Sequence, residues 1–170
     1  NLTKEQVIQE ANRCLSCKNA RCITGCPVNI NIPGFIAQLK DGKIQEAGDV
    51  IRQTSLLPSV CGRVCPQERQ CEGKCVLGIK GEAIAIGALE RYVGDNTSAK
   101  DTEIVPSGKK VAIIGSGCAG ITAAADLRKA GHDVTVFEAL HKFGGVLRYG
   151  IPPFRLPRTV LDREIDNLKK

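Results

Sequence analysis

The chain has 170 residues, 42% hydrophobic and 25% charged, which suits a folded soluble protein of one ordinary domain or two small ones. Its formal charge is +6, but aromatics make up only 4%, so a basic nucleic-acid surface with stacking rings is not expected. No apolar run reaches the ~18 residues of a membrane span, and no charged-then-apolar secretory leader is visible, so a cytoplasmic protein with no membrane partner is expected.

In chain order, the first elements are short helices. Thr3, with Gln6 three places on, forms a capping box, and Val7, Ile8 and Ala11 follow on one face. Pro33 suits the first turn of a second helix that carries Phe35, Ile36 and Leu39 and ends at Gly42. Ile44, Ala47, Val50 and Ile51 mark a third helix, which stops before Pro58. A last helix is expected from Glu82 to Val93, closed by Gly94. Residues 94–108 are polar and aperiodic and read as a linker between a helical domain, 1–93, and a second domain, 109–170. The second opens with the apolar strand KKVAIIG. A glycine cluster, an Ala-rich helix and a second strand, GHDVTVFE, follow, which is a βαβ pattern with a parallel sheet. The chain starts at Asn1 and holds no Met, so a natural start is expected upstream.

Eight of the nine cysteines lie between Cys14 and Cys75. An odd total without a leader disfavours disulfides. The first group is Cys14-x2-Cys17-x4-Cys22-x3-Cys26-Pro27; the second is Cys65-Pro66-x5-Cys71-x3-Cys75, with Cys61 four residues upstream. Close-spaced cysteines ending in Cys-Pro are a ferredoxin-type signature for [4Fe–4S] clusters, in which the Cys before Pro serves the neighbouring cluster. Zinc sites favour repeated Cys-x2-Cys pairs, and only one such pair is present. A crossed arrangement follows. Cys14, Cys17 and Cys22 hold one cluster, completed by Cys75. Cys26 crosses to a second, joined by Cys65 and Cys71. The fourth ligand of that second cluster is either Cys61 or Glu90. Glu90 falls on an apolar stripe with Ala83, Ile86 and Val93, where a carboxylate needs a partner or must lie at the edge and reach water. Arg13, Lys18, Arg21, Arg63, Arg69 and Lys74 are interleaved with the cysteines and would offset the negative charge of thiolate-bound iron.

The loop Gly115-Ser116-Gly117-Cys118-Ala119-Gly120 sits between a strand and a helix, as a dinucleotide-binding loop requires. Its first glycine makes the turn, the second admits a pyrophosphate, the third allows close packing, and the helix N-terminus offers amide donors. Glu138, at the end of the second strand, suits the hydroxyls of an adenosine ribose and would repel a 2′-phosphate. Gly144 and Gly145 supply a second glycine loop, as a longer folded-back dinucleotide would require. Cys118 reads as a packing residue, and His132 and His141 as exposed turn residues.

CGRVCPQERQCEGKC, IAIGALERYV, VAIIGSGCAG and GGVLRYGIPPFRLPR together resemble the small (beta) subunit of glutamate synthase. Also similar are the NADPH-dependent ferredoxin oxidoreductase (sulfide dehydrogenase) subunits and the N-terminal part of dihydropyrimidine dehydrogenase. The resemblance implies an α-helical two-cluster iron–sulfur domain followed by the first βαβ part of a Rossmann-like (α/β) FAD-binding domain. It implies Glu90 as the last ligand of the second cluster, and FAD contacts at Gly115, Gly117, Gly120, Glu138 and Gly145. The family usually has Pro at the position of Cys118. It further implies that electrons pass from NADPH through FAD to the clusters and on to a catalytic large subunit or a ferredoxin-type partner. The NADPH domain would lie beyond Lys170, so the chain is expected to be an excerpt that is inactive alone. The competing readings are a ferredoxin–NADP oxidoreductase or sulfide dehydrogenase-type subunit, and a non-catalytic iron–sulfur docking module with a vestigial glycine loop.

Overall fold

A computed structural model describes residues 2–100 and 103–168. The chain divides into two compact units, Asn1–Ala99 and Lys100–Lys170. No helix among the described residues is long and apolar enough to cross a membrane.

The first unit is helical. Helix α1 (Lys4–Asn12) starts at the expected capping box: the Thr3 hydroxyl accepts from Gln6 N at 3.3 Å, and the Gln6 side chain accepts from Thr3 N at 2.8 Å. A short α2 (Arg21–Gly25) follows within the first cysteine group. Helix α3 (Ile32–Lys40) has Pro33 in its first turn and is capped by Asn31, whose side chain accepts from Gly34 N at 3.1 Å. Gly42, at φ +71°, turns the chain into α4 (Ile44–Ile51), a left-handed conformation natural to glycine. The core gathers where these helices meet: Val7, Ala11, Ile32, Phe35, Ile36, Leu39, Ala47 and Ile51 are buried, together with Leu89 and Val93 from the last helix. Each large aliphatic or aromatic side chain so buried contributes about 1.5–3 kcal/mol of transfer free energy.

Two elements depart from the sequence expectation. Pro58 does more than stop a helix: it occupies the first turn of α5 (Pro58–Val64), where its fixed φ and missing N–H cost nothing. The last helix, α6, spans Ile86–Asn96 rather than Glu82–Val93. Its start is set from a distance. Glu10 Oε1 accepts from Ala85 N, and Glu72 Oε1 accepts from Gly87 N, both at 2.8 Å. Carboxylates therefore satisfy the first N–H groups and face the positive end of the helix dipole. Three short 3₁₀ turns (Gln67–Arg69, Glu72–Lys74, Val76–Ile79) link α5 to α6 and carry the second cysteine group.

Gly94 does not close α6; it lies inside it as a packing residue. A Cβ there would stand 2.4 Å from Ser59 N, and one on Gly62 would stand 2.5 Å from Arg91 N. Helices α5 and α6 thus touch backbone to backbone. Arg63 fastens the contact with two bonds to Asp95, at 2.8 and 2.6 Å, and a third to Ser59 O at 2.9 Å. The helix ends beyond Gly94, at the buried Thr97, whose hydroxyl donates to Val93 O and accepts from Arg52, both at 2.8 Å.

The second unit holds two parallel strands, β1 (Lys110–Ile114) and β2 (Asp133–Phe137), paired from Lys110↔Asp133 to Ile114↔Phe137. Helix α7 (Cys118–Lys129) connects them, and α8 (Gly145–Tyr149) and α9 (Arg158–Leu168) follow. The βαβ order matches the sequence reading. Alternate strand residues, Ala112, Ile114, Thr135 and Phe137, are exposed.

The glycine contact generates a test. Gly94→Ala pushes a methyl into Ser59 backbone that cannot yield, so overpacking should cost about 1–3 kcal/mol of stability. Thermal or denaturant unfolding of the variant measures it; unchanged stability would mean that α5 and α6 are not in backbone contact.

Candidate metal centres and dinucleotide loop

The first cysteine loop is shaped by local geometry. Ser16, between Cys14 and Cys17, adopts a left-handed φ of +49°. The Lys40 ammonium donates to Cys14 O at 2.7 Å and to Ser16 Oγ at 3.3 Å. The chain then rises into α2, which lies close against the segment around Cys71: a Cβ on Gly25 would stand 2.7 Å from Gln70 O and 2.8 Å from Lys74 Cγ. This close approach joins the two cysteine groups.

One recess is lined by Cys14, Cys17, Cys22 and Cys75, set on an apolar floor that includes Ile32, Ile36 and Ile86. Burial pushes the Cys22 thiol up to about 11, and its neighbours Cys14 and Cys75 add to the effect. Cys26 belongs to different surroundings. It acts with Glu90 on both Cys65 and Cys71. Burial raises Cys71 to about 12, with Glu90, Glu72 and Cys26 adding. Cys65 is lowered, chiefly by a hydrogen bond from Cys61, against burial and the charges of Glu90, Cys26 and Cys71. Cysteines of the two groups are therefore neighbours in space.

Glu90 lies on α6 with 5% of its surface exposed, so the edge-of-stripe alternative does not describe it. Its Oε1 has no hydrogen-bond partner. Burial, reinforced by Cys61, holds its carboxyl well above the usual carboxylate range. A carboxylate enters such surroundings only beside a cation or a donor. The same holds for buried thiols, which must ionise to bind metal. The donor sets thus fit iron–sulfur clusters. Among the described residues, no three Cys, His, Asp or Glu side chains converge closely enough for a single ion; Cys14, Cys17, Cys22 and Cys75 line a recess instead.

Two of the expected cations have other work. Arg63 is tied to Asp95, and Arg13 bonds Glu10 at 2.7 Å and Glu82 O at 2.6 Å. Arg21 and Lys74 do line the recess. Glu72 and Glu10, which position the helix bearing Glu90, were not legible in the sequence, since their bonds close only in the folded chain. The one available signal was an acid inside a cysteine loop.

In the second unit, Gly115 takes a φ of +92°, and a Cβ on Gly120 would stand 2.0 Å from Gly115 O. Both glycines are needed to shape the loop. At Gly117 a Cβ would meet nothing within 4 Å. No protein atom demands glycine there, and the space beside it is open. Gly117 is also the cap of α7 and has no side chain to bond the first-turn N–H groups, so these face outward. Cys118 and Ala119 begin the helix and are exposed, which corrects the reading of Cys118 as a packing residue. It stands at the first helical position, where proline is readily accepted.

Ser116 is fully buried and joins three parts of this unit. Its N–H donates to Glu138 Oε2 at 2.9 Å, and its hydroxyl donates to the same oxygen in a short bond. Ser116 Oγ accepts from Gly144 N at 3.1 Å, and a Cβ on Gly145 would stand 2.8 Å from Gly117 Cα. The second glycine loop thus rests on the first. Leu140 N donates to Glu138 Oε1 at 2.8 Å. The Ser116 hydroxyl, with the N–H groups of Leu140 and Ser116, lowers the Glu138 carboxyl to about 2. Stability from this lowered carboxyl is present above the ordinary carboxylate range and lost as pH falls toward 2. His132 bonds Ser107 at 2.6 Å and His141 bonds Tyr149 at 3.2 Å. Removing the hydroxyl in Ser116→Ala should raise the Glu138 carboxyl toward the ordinary range, as read by NMR titration of that side chain; an unmoved midpoint would show that the backbone bonds alone hold it.

Residues 1–102 match the family of dihydropyrimidine dehydrogenase domain II, 4Fe-4S cluster, and residues 113–164 match an NAD(P)-binding Rossmann-like domain. Among curated proteins, the glutamate synthase (NADPH) small chain of Escherichia coli (strain K12) is 42% identical over 93% of this chain and 34% of its own length. That of Azospirillum brasilense is 40% identical over 95% of this chain and 35% of its own. The NAD-dependent dihydropyrimidine dehydrogenase subunit PreT of E. coli (strain K12) is 41% identical over 96% and 40%. The chain spans about a third to two fifths of the length of these relatives. Taken with the interleaved cysteines and the glycine loop, the matches mean that the chain belongs to the dihydropyrimidine dehydrogenase domain II family of 4Fe-4S cluster domains, here continued by an NAD(P)-binding Rossmann-like region.

Proposed function

We propose that this chain is the cluster-bearing front part of an electron-transfer oxidoreductase of the glutamate synthase small-subunit type. Its electrons would come from NADPH through FAD and pass by two [4Fe–4S] clusters to a partner subunit. The reading rests on one observation above others: Cys14, Cys17 and Cys22 share a recess with Cys75, while Cys26 acts on Cys65 and Cys71 beside Glu90. Two separate donor sets, each drawn from both cysteine groups, suit a relay; a single structural metal would need only one.

When bound, FAD would convert a two-electron hydride input into single electrons, which the clusters carry onward. The residues' part is to hold and to tune. Cys14, Cys17, Cys22 and Cys75 would ligate the first cluster, and Cys26, Cys65, Cys71 and Glu90 the second. Arg21 and Lys74 at the rim of the recess offset negative charge there. Gly117 would leave room for a pyrophosphate, the α7 N-terminus would donate to it, and Glu138 would accept from the adenosine ribose hydroxyls. Gly115, Gly120 and Gly145 shape that cradle, with Ser116, Cys118 and Ala119 along the loop. FAD is favoured over a nicotinamide here because Gly144 and Gly145 extend the cradle beyond the phosphate loop.

Two measurements test this. Protein purified without oxygen should contain about eight iron and eight acid-labile sulfide per chain. Stoichiometric zinc with little iron would make the chain a structural or docking module. Cys22→Ala should lose about half of that iron and lower the unfolding temperature of the first unit. Unchanged iron and stability would refute the crossed ligation.

A further inference from the structure

With Glu90 completing the second donor set, Cys61 is left without a ligand position, yet it neighbours two members of that set, Cys65 and Glu90. It lies on α5 one turn before Cys65, whose N–H donates to Cys61 O at 3.1 Å. Residues four apart on a helix project to the same side. The Cys61 thiol donates to Cys65 Sγ. The Cys61 sulfur is itself oriented. The hydroxyl of Ser55, a residue only 5% exposed, donates to Cys61 Sγ at 3.9 Å, and Gln67 Nε2 donates to Cys61 O at 3.0 Å. With one donor directed at its sulfur, the single thiol proton is turned away from Ser55 and toward Cys65. Glu90, which feels Cys61, keeps an unpartnered oxygen beside the same group.

Resting on the two-cluster reading above, we propose that Cys61 is a positioning residue of the second cluster and not one of its ligands. Its Sγ–H, oriented by Ser55, donates to Cys65 Sγ and raises the reduction potential of the cluster that Cys65 holds. The physical reason is charge. Adding an electron makes the cluster and its thiolates more negative, and a hydrogen bond to a ligand sulfur stabilises that state more than the oxidised one. The other cluster, held by Cys14, Cys17, Cys22 and Cys75, receives no such bond from Cys61, so the effect is confined to one of the two.

The test is a redox titration followed by electron paramagnetic resonance on holoprotein purified without oxygen, comparing wild type with Cys61→Ala and Cys61→Ser. Cys61→Ala should keep the wild-type iron and sulfide content while one midpoint potential moves to a more negative value and the other stays. Cys61→Ser retains an O–H donor and should restore most of the shift, which a merely structural role would not predict. Unmoved potentials in Cys61→Ala would overturn the proposal. Loss of iron from both variants would overturn it too, since Cys61 would then be a ligand or a structural necessity; a Glu90→Ala variant that kept both clusters would point to the first of these. Wild-type protein that takes up no iron and sulfide, even on reconstitution, would overturn the cluster reading and this inference with it.

Discussion

The first unit depends on two helices that meet without side chains between them. Gly62 on α5 and Gly94 on α6 each face the backbone of the other helix, with no room for a methyl group. That contact brings α6 down onto the cysteine segment that α5 begins, and it is why Glu90 is buried beside Cys65 and Cys71. The same contact therefore sets an unpartnered carboxyl oxygen among thiols.

Charge is handled consistently around that contact. The acids that cap α6, Glu10 and Glu72, come from α1 and from the turn between Cys71 and Cys75. The helix carrying the buried carboxylate is thus oriented by the cysteine segment itself. Arg63 and Asp95 pair across the same two helices, with Arg63 nearly buried and satisfied by three bonds. In the second unit a carboxylate is again satisfied, this time by neutral donors. Ser116 joins the phosphate loop, the acid at the end of β2 and the second glycine loop, so the parts of the cradle are not independent.

The sequence carried local information well and contact information poorly. The capping box at Thr3, Pro33 in the first turn of α3, and the strands around the glycine loop are written in neighbouring residues, and each forms where expected. The close spacing of the cysteines marked them as one set of donors, while which of them neighbour one another is a matter of the folded chain. The start of α6 was lost, since its caps lie 15 and 75 residues away. Gly94 reads as a helix end in the sequence because glycine's conformational freedom and its lack of a side chain leave the same mark there. Pro58 was ambiguous for a similar reason, as it both stops helices and starts them. The choice between Cys61 and Glu90 could not be read from spacing. The burial of Glu90 depends on which helix crosses which.

The interleaving of the two cysteine groups also has a consequence in time. Cys14, Cys17 and Cys22 share their recess with Cys75, so the recess has no fourth wall until about fifty more residues have been made. At about 5–20 residues per second, that leaves three adjacent thiols waiting for several seconds on a nascent chain. During that interval they are open to stray metals and to oxidation, with no enclosing structure to discriminate among them. Spacing that interlocks the finished unit therefore forbids its piecemeal assembly, and places the commitment to a cofactor after the last cysteine of the pair of groups has emerged.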